Sequence, residues 1–449
     1  MRPCRCGGNR LLRIRLDPRL DPYAVFAASR DDHPHAFLLE SLTGPERLRE
    51  HTFVGFDPEL IISYRGGIFR SNGDSFKTNH PLDALREVLR THAAPNAPGP
   101  FVGGLVGYVS FEFVRNLDSV PVSDSSGFPE FEFGLYLDGV IVDHVRRTAE
   151  YFAHGRSRAE DLPKARTHEP VFDAGDAVPE VGPGPFMDAA TRAKRYIEEG
   201  EAFQIVLSRR DRGTMHGDPL AFYEALRRIN PCPYMYYLDF GARRVIGSSP
   251  EMLLRVQGRN ATTFPIAGTR PLGASPLESE RLAAELRADD KERAEHNMLV
   301  DLARNDLGKV CEFGSVHVPQ YLSVERYSHV QHLVSRVEGT LAPGKDALDA
   351  FAATFPAGTV SGAPKPRALE IIHELEGRPR GPYAGVVGYL SLNGNLDTAI
   401  AIRTLFAEHS MYYLQAGAGI VADSDPAREW VETEHKLAGL RSALREASA

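Results

Sequence analysis

The stretch 415–426, QAGAGIVADSDP, decides the fold class. Gly417-x-Gly419-x-x-Ala422, after a strand-like run and ahead of a helix, has the spacing of a dinucleotide-binding turn. In a doubly wound sheet such a turn leads to a second parallel strand whose acid holds a ribose hydroxyl. Here the remaining residues read as one helix, with Asp425 as its N-cap and Pro426 in its first turn, and no further strand follows. The glycines are therefore expected to expose backbone amides to a small anion. Just upstream, Thr398, Ile400, Ile402 and Thr404 alternate with Ala399, Ala401 and Arg403, the period of a strand, and 411–416 reads as another. Arg403 would then project over a floor of small residues, where it either grips a carboxylate bidentately or closes a buried ion pair.

Working outward, short strand-like runs at 36–39, 52–56 and 101–113 dominate the first third of the chain. Residues 186–200 read as a helix stopped by Gly200, and 276–307 as one long helix. No βαβ rhythm joins these elements, so the expected class is α+β. No 20–50-residue repeat is present, which excludes solenoids and propellers. Residues 154–185 are poor in large apolar side chains and rich in Pro, Gly and charge, the composition of a surface linker. The expected organisation is an N-terminal region 1–153, the linker 154–185 and a C-terminal domain 186–449.

Of the 449 residues, 42% are hydrophobic and 25% charged, a globular balance that excludes extended disorder. A chain of this size buries its core without disulfides or structural metals. Cys4, Cys6, Cys232 and Cys311 form neither a disulfide framework nor a CxxC zinc pair, which suits a reducing compartment. No apolar run approaches the ~20 residues that span a bilayer. Residues 1–16 carry Arg2, Arg5, Arg10, Arg13 and Arg15 without the apolar core of a secretory signal or the serines of a transit peptide, so a cytoplasmic location is expected. With 52 basic against 60 acidic residues and no basic stripe, nucleic acid is not an expected partner. An acidic chain that binds an anionic substrate needs local cations or a metal.

Glu292 and Glu295 stand at i, i+3 on one helix face, and the same stripe continues through Leu299 and Leu302. Alone, the pair reads as a solvated charged face. The closing helix repeats the pattern with Glu429, Glu432 and Lys436 beside an apolar stripe of Trp430, Leu437, Leu440 and Leu444. Two helices that each offer an ExxE pair suit Mg²⁺, which takes one or two protein carboxylates and leaves its other positions to water and an anionic substrate. The remaining acids would be free for proton transfer. In 355–372, FPAGTVSGAPKPRALEII, small residues lead into a helix whose first turn holds Lys365 and Arg367. That is either an anion site or a structural turn, and it is not a Walker A loop. His329-x-x-His332 is a metal pair only if acidic companions join it; otherwise His332 is a single polar contact or a general acid. No GxSxG elbow is present.

These segments together resemble the chorismate-utilising enzymes, most closely their anthranilate synthase component I branch. The resemblance is carried by GEAFQIVLSRR (200–210), NPCPYMYYLDFG (230–241), IGSSPEML (246–253), PIAGTRPLG (265–273) and EHNMLVDLARNDLGKV (295–310). It continues through RYSHVQHLVSRVEG (326–339), 355–372, GPYAGVVGYLSLNGNLDTAIAIRT (381–404), 415–426 and EWVETEHK (429–436), and more loosely through FLLES (37–41), HTFVGFDPE (51–59) and FVGGLVGYVSFE (101–112). It implies a large sandwich of mixed or antiparallel sheets with helices packed outside.

It also implies chorismate bound through Mg²⁺ on Glu295 and Glu432, with Glu292 and Glu429 as ligands of metal-bound water or proton-transfer groups. His332 and Thr359 would face the ring. Tyr383, Arg403 and the amide of Gly419, with Gly417, Ala418 and Lys436 nearby, would hold the enolpyruvyl carboxylate. Gln204, Ala267, Gly268 and Thr269 complete the implied substrate-binding set. The implied reaction is amination of chorismate at C2 with loss of the C4 hydroxyl, then elimination of pyruvate to anthranilate. Isochorismate and salicylate synthases are similar but place a Lys base where this chain has Gln204, which argues for ammonia as nucleophile. Aminodeoxychorismate synthase is the alternative; its members often carry a nucleophilic Lys where Ala267 stands. The chain has no amidotransferase Cys in a GxCxG context, so glutamine-dependent activity implies a separate glutamine amidotransferase subunit and a hetero-oligomer. A feedback site for tryptophan is implied at Leu39, Glu40, Ser41, Asn230, Pro231, Tyr234 and Met235, where Cys232 replaces the more usual Ser.

Overall fold

The computed structural model describes residues 11–44, 50–123, 127–162, 170–327 and 330–449. Cys4, Cys6, Arg2, Arg5, Arg10 and His329 lie outside the described residues. Two large antiparallel sheets organise the chain. The first runs through Leu11–Arg15, Thr148–His154, Asp138–Asp143, His51–Phe56, Ala36–Glu40 and Tyr234–Phe240. It goes on through Arg243–Ser249, Thr404–Glu408, Met411–Ile420, Gln204–Gly217 and Phe172–Ala174. The second begins Ile266–Pro271, Val330–Thr340, Asn260–Thr263, Met252–Gln257 and Leu396–Ile400. It ends with Val386–Ser391, Gly104–Val109, Phe131–Tyr136, Leu60–Arg65, Ile68–Ser71 and Asp74–Lys77. Strands from before and after the linker form two blocks in each sheet and meet at one pairing: Ala36–Glu40 with Tyr234–Phe240, and Gly104–Val109 with Val386–Ser391.

The first sheet is buried on both faces, and strand alternation divides its side chains between two cores. Phe37, Tyr236, Val245 and Phe406 join the core shared with the second sheet, which supplies Ile62, Leu105, Phe131 and Val387. Their neighbours Leu38, Tyr237, Ile246 and Leu405 point the other way, onto helices Pro22–Asp32, Leu220–Ile229 and Pro426–Ala447. This is the sandwich with outer helices that the sequence implies. Leu437, Leu440 and Leu444 seal the closing helix to the sheet, at roughly 1.5–3 kcal/mol for each fully buried side chain. Trp430, expected in the same stripe, is only partly covered: its ring lies against Phe186 and under the Arg209 guanidinium, 4.1 Å away.

Four sequence readings need correction. Residues 276–307 form two helices, Pro276–Ala288 and Asp290–Gly308, because Asp289 is extended and its carboxylate caps the amides of Lys291 and Glu292. The 398–404 run is broken: Leu396–Ile400 belongs to the second sheet and Thr404–Glu408 to the first. The chain crosses between sheets at 401–403, with Arg403 at φ +51°, so Arg403 shares no strand face with Ala399 and Ala401. The 101–113 run contains only the strand Gly104–Val109, after which Phe111–Asn116 coils into a 3₁₀ turn. Finally, the 411–416 strand extends to Ile420, so the glycines of the 415–426 stretch lie in a ladder against Gln204–Gly217.

Candidate active site

Helix Asp290–Gly308 and the closing helix approach each other at their N-terminal ends. Lys291 reaches Asp423 at 2.9 Å, just ahead of the closing helix. The ammonium of Lys291 is held charged by its bond to Asp423 and also feels Glu295 and Glu429. Burial, followed by the charge of Glu292, raises the carboxyl pKa of Glu295, and Glu432 raises it further. Burial and then the charge of Glu432 raise that of Glu429. The four glutamates therefore share one field, although they come from two distant stretches of sequence. Glu432 is paired with Lys436 at 2.7 Å, and Lys436 also donates to the Gly417 carbonyl at 2.8 Å.

The rotation of the closing helix is set from beneath. Arg209, buried in the first sheet, donates to Thr433 at 2.7 Å and Asp211 at 2.6 Å, and pairs with Glu434. Glu292 is held by Arg270 at 2.9 Å, and Arg270 also binds Asp289 at 2.8 Å. Gln204 donates to Glu295 at 3.2 Å, while its buried Oε1 has no partner among the described residues.

The motif glycines lie where these side chains pass close to the backbone. A Cβ on Gly419 would come within 2.6 Å of Gln204 Nε2, and one on Gly417 within 2.9 Å of the Tyr383 hydroxyl. A Cβ on Gly268, at φ +65°, would come within 2.9 Å of Glu292 Oε2. Gly268 is the extra residue of a β-bulge between Ala267 and Thr269, the usual place for a left-handed glycine. Its carbonyl lies 2.9 Å from His332 Nδ1, and Thr269 Oγ1 is 3.1 Å from the same nitrogen. Burial lowers the His332 pKa, so the ring is neutral, with Nδ1–H donating to Gly268 and Nε2 left as the acceptor. Gly417 and Ala418 are buried ladder residues, contrary to the expected exposed amides; Gly419 alone of the three keeps some surface.

One residue escaped the sequence reading. Glu251 accepts a hydrogen bond from Thr359 at 2.8 Å beside a cleft of about 440 Å³ that also takes in Leu299, Leu302 and Gly358. Burial pushes its carboxyl up to about 7, against the opposing pull of Thr359, Lys436 and Arg403. Arg403 is also felt by His332 and Cys232. Glu251 lies inside the 246–253 motif, and its signal was an acid set against the apolar run 252–254. The 355–372 segment resolves as a structural turn: Lys365 is buried against Asp306 and the Thr354 carbonyl, and Arg367 pairs with Glu201 and Glu370. Neither cation is left for an anion.

A cavity of about 610 Å³ opens between the sheets and is lined by Leu39, Glu40, Ser41, Tyr234 and Met235, with Glu50, His51, Phe53, Arg255 and Tyr389. Asn230 and Pro231, expected there too, sit behind it: their carbonyls accept from Ser248 and Thr43.

Residues 34–442 match the chorismate binding enzyme family. The chain belongs to that family. Anthranilate synthase component 1 of Methanothermobacter thermautotrophicus is 48% identical over 439 residues, covering 94% of this chain and 92% of the relative. That of Saccharolobus solfataricus is 42% identical over 431 residues, covering 94% and 97%. Among solved structures, anthranilate synthase component I from Streptococcus pneumoniae TIGR4 superposes with a TM-score of 0.77 at 36% identity, covering 87% of this chain and 92% of that one. The menaquinone-specific isochorismate synthase from Escherichia coli has the same TM-score, 0.77, at 22% identity over 97% and 94%, a likeness of fold alone.

Chorismate-binding enzymes act on a dianion, which requires counter-charge. Among the described residues no three His, Cys, Asp or Glu side chains are close enough to enclose a metal ion by themselves. Magnesium keeps most of its sphere for water and substrate, so two carboxylates suffice. Glu295, partly buried, and Glu432, about half exposed, are near enough to feel each other and fit that donor set.

Proposed function

We propose that this chain is the aminating component of an anthranilate synthase, converting chorismate and ammonia to anthranilate, pyruvate and water as the committed step toward tryptophan. The observation that carries this reading is the meeting of two ExxE helices, with Glu295 bound by Gln204, beside a Glu251 that feels Lys436 and Arg403 and a His332 that feels Arg403, within a chain whose relatives bear that name.

Glu295 and Glu432 would hold Mg²⁺, which when bound supplies a counter-charge for the ring carboxylate. Arg403 and Tyr383 grip the enolpyruvyl carboxylate, with the amide of Gly419 beside them. Glu251, half protonated near neutral pH, donates a proton to the leaving C4 hydroxyl, and Thr359 orients its carboxyl. The unpartnered Oε1 of Gln204 accepts a hydrogen bond from ammonia, a role for which a water-activating lysine would be wrong. Glu292 and Glu429 relay protons in the later elimination, which needs a base for the C2 proton. Ala267 offers no nucleophile, so no covalent adduct forms there. Ammonia is delivered from glutamine by a separate amidotransferase subunit in a cytoplasmic hetero-oligomer, and no described helix is long and apolar enough to cross a membrane.

Incubating the pure chain with chorismate, Mg²⁺ and an ammonium salt tests the reading. Fluorescent anthranilate is expected; 4-amino-4-deoxychorismate as the product would overturn it in favour of aminodeoxychorismate synthase. Gly419→Ala is expected to leave the fold intact, because the added methyl meets only the movable tip of Gln204, and to lower kcat/KM about tenfold or more by displacing that amide. Circular dichroism with steady-state kinetics checks both halves.

The cavity between the sheets joins aromatic walls to Glu50 and Arg255, while Glu40 turns its carboxylate away to Tyr223 and Arg227, a combination suited to an aromatic amino acid. Tryptophan is proposed as its occupant and as a feedback inhibitor. Binding of tryptophan should raise Tm by mass action. A thermal titration flat to millimolar tryptophan would remove the proposal.

A further inference from the structure

Arg380 is among the largest side chains that the fold buries completely, at 1% exposure. Part of its guanidinium is accounted for by Glu376, which it grips bidentately at 2.9 and 2.6 Å. The remaining donors go to main-chain carbonyls of two different segments. Nη1 donates to Val360 at 2.7 Å and Nη2 to Val206 at 2.7 Å. Val360 follows Thr359 in the 3₁₀ turn Gly358–Val360, and Val206 stands two residues after Gln204 in its strand. The guanidinium also lies 4.5 Å from the Phe111 ring centroid and 5.8 Å from that of Tyr383. One cation thus ties together the backbone that carries Thr359, the backbone that carries Gln204, and the ring of Tyr383.

Arg380 is itself anchored. Its amide and that of Gly381 donate to Glu112 at 2.6 and 3.0 Å, which explains why the chain coils at Phe111–Asn116 and presents a buried acid. Its carbonyl accepts from Arg210 at 3.0 Å and Tyr413 at 3.2 Å. Glu376 also accepts from the amide and hydroxyl of Ser208, at 2.7 and 2.9 Å. A buried ion pair by itself is weak support for a fold, because desolvation offsets the attraction. What this arrangement supplies is direction: a planar fork that spans a carboxylate, two carbonyls and a ring, which a lysine cannot reproduce.

We infer that Arg380 is a positioning residue for the reaction, setting the separation between the Thr359–Glu251 wall and the Gln204–Glu295 wall of the site. The inference rests on the proposed chorismate reading for its kinetic readout. Arg380→Lys is compared with Arg243→Lys, which alters another largely buried pair, with Glu132. Both are expected to lower Tm. At a temperature where both are folded by circular dichroism, Arg243→Lys should keep kcat/KM for chorismate within threefold of the unaltered chain. Arg380→Lys should raise KM for chorismate at least tenfold and lower kcat/KM at least a hundredfold. Amide exchange at 204–208 and 358–361 should quicken at least tenfold in Arg380→Lys and not in Arg243→Lys. A folded Arg380→Lys with kcat/KM within threefold of the unaltered chain overturns the inference. Should Arg380→Lys fail to fold, Glu376→Gln keeps one acceptor while loosening the fork; a five- to twentyfold loss of kcat/KM supports the inference, and no loss overturns it. If the unaltered chain makes no anthranilate, the chorismate reading fails, and the exchange comparison alone judges Arg380.

Discussion

Glu295→Gln is expected to cost at least about a thousandfold in kcat/KM, equivalent to ~4 kcal/mol of transition-state stabilisation, and to leave the protein as stable as before or more so. The two halves of this prediction share a cause. Glu295 is partly buried and faces the charges of Glu292 and Glu432, which together raise its carboxyl pKa. A carboxyl whose folded pKa lies above its unfolded value contributes stability that is fully present below the unfolded value and is lost as pH rises through the folded one. At neutral pH the ionised Glu295 is therefore a cost to the fold, and a neutral amide of the same shape removes it. The variant should match the parent at about pH 4, near the unfolded carboxyl range, and exceed it in Tm above the folded pKa. Melting curves at several pH values beside anthranilate kinetics check this; a Glu295→Gln protein that is both active and less stable would contradict it. Glu292→Gln should cost less, because that carboxylate is already partnered by Arg270 at 2.9 Å.

Glu251→Gln should lower kcat by roughly 10²–10⁴-fold, the span of a positioned general acid. Burial holds this carboxyl at about 7, so the protonated, donating form dominates below neutrality. With the concentration of free-base ammonia held constant, kcat/KM of the parent is expected to fall as pH rises through about 7. That limb should vanish in the variant. The stability sign follows the same rule as for Glu295: the protonated carboxyl supports the fold below its ordinary value of 4.5, and the support is lost between there and about 7. Glu251→Gln should therefore be more stable than the parent at pH 8 and indistinguishable from it near pH 4.5. A pH profile that keeps its limb near 7 in the variant would assign the acid elsewhere.

Local pattern made much of this legible in the sequence. The i, i+3 spacing of Glu292 and Glu295, the repeat at Glu429 and Glu432, and the Asp425-Pro426 helix start are properties of a few neighbouring residues, and each is found where the spacing puts it. The failures occur where tertiary structure overrides an unbroken local pattern. Alternation runs straight through 398–404, yet the chain leaves one sheet and enters the other there, because Arg403 takes a left-handed backbone angle. Asp289 looks like one more polar helix residue until its carboxylate is seen capping the next helix. Glu112 carries no local sign of its role, and Glu251 only that of an acid set against the apolar run 252–254. The chemistry of Glu251 comes from burial beside Thr359, and that of Glu112 from two amides more than 260 residues away in sequence. The small-residue approach to Lys365 and Arg367 misled in the opposite sense, since the acids that consume those cations, Asp306 and Glu201, are distant in sequence.

The proposed mechanism requires Glu295 and Glu432 to share one divalent cation, and the fold brings their helices together without one. A titration of the full-length chain with Mn²⁺ in the presence of chorismate, read by electron paramagnetic resonance, measures this directly. One ion per chain is predicted, with affinity reduced at least tenfold by Glu295→Gln and by Glu432→Gln. The double variant should be little worse than either single one, because both changes damage the same site. Parent-like binding in both single variants, or the loss of a different ion in each, would contradict the shared site and the proposed mechanism with it.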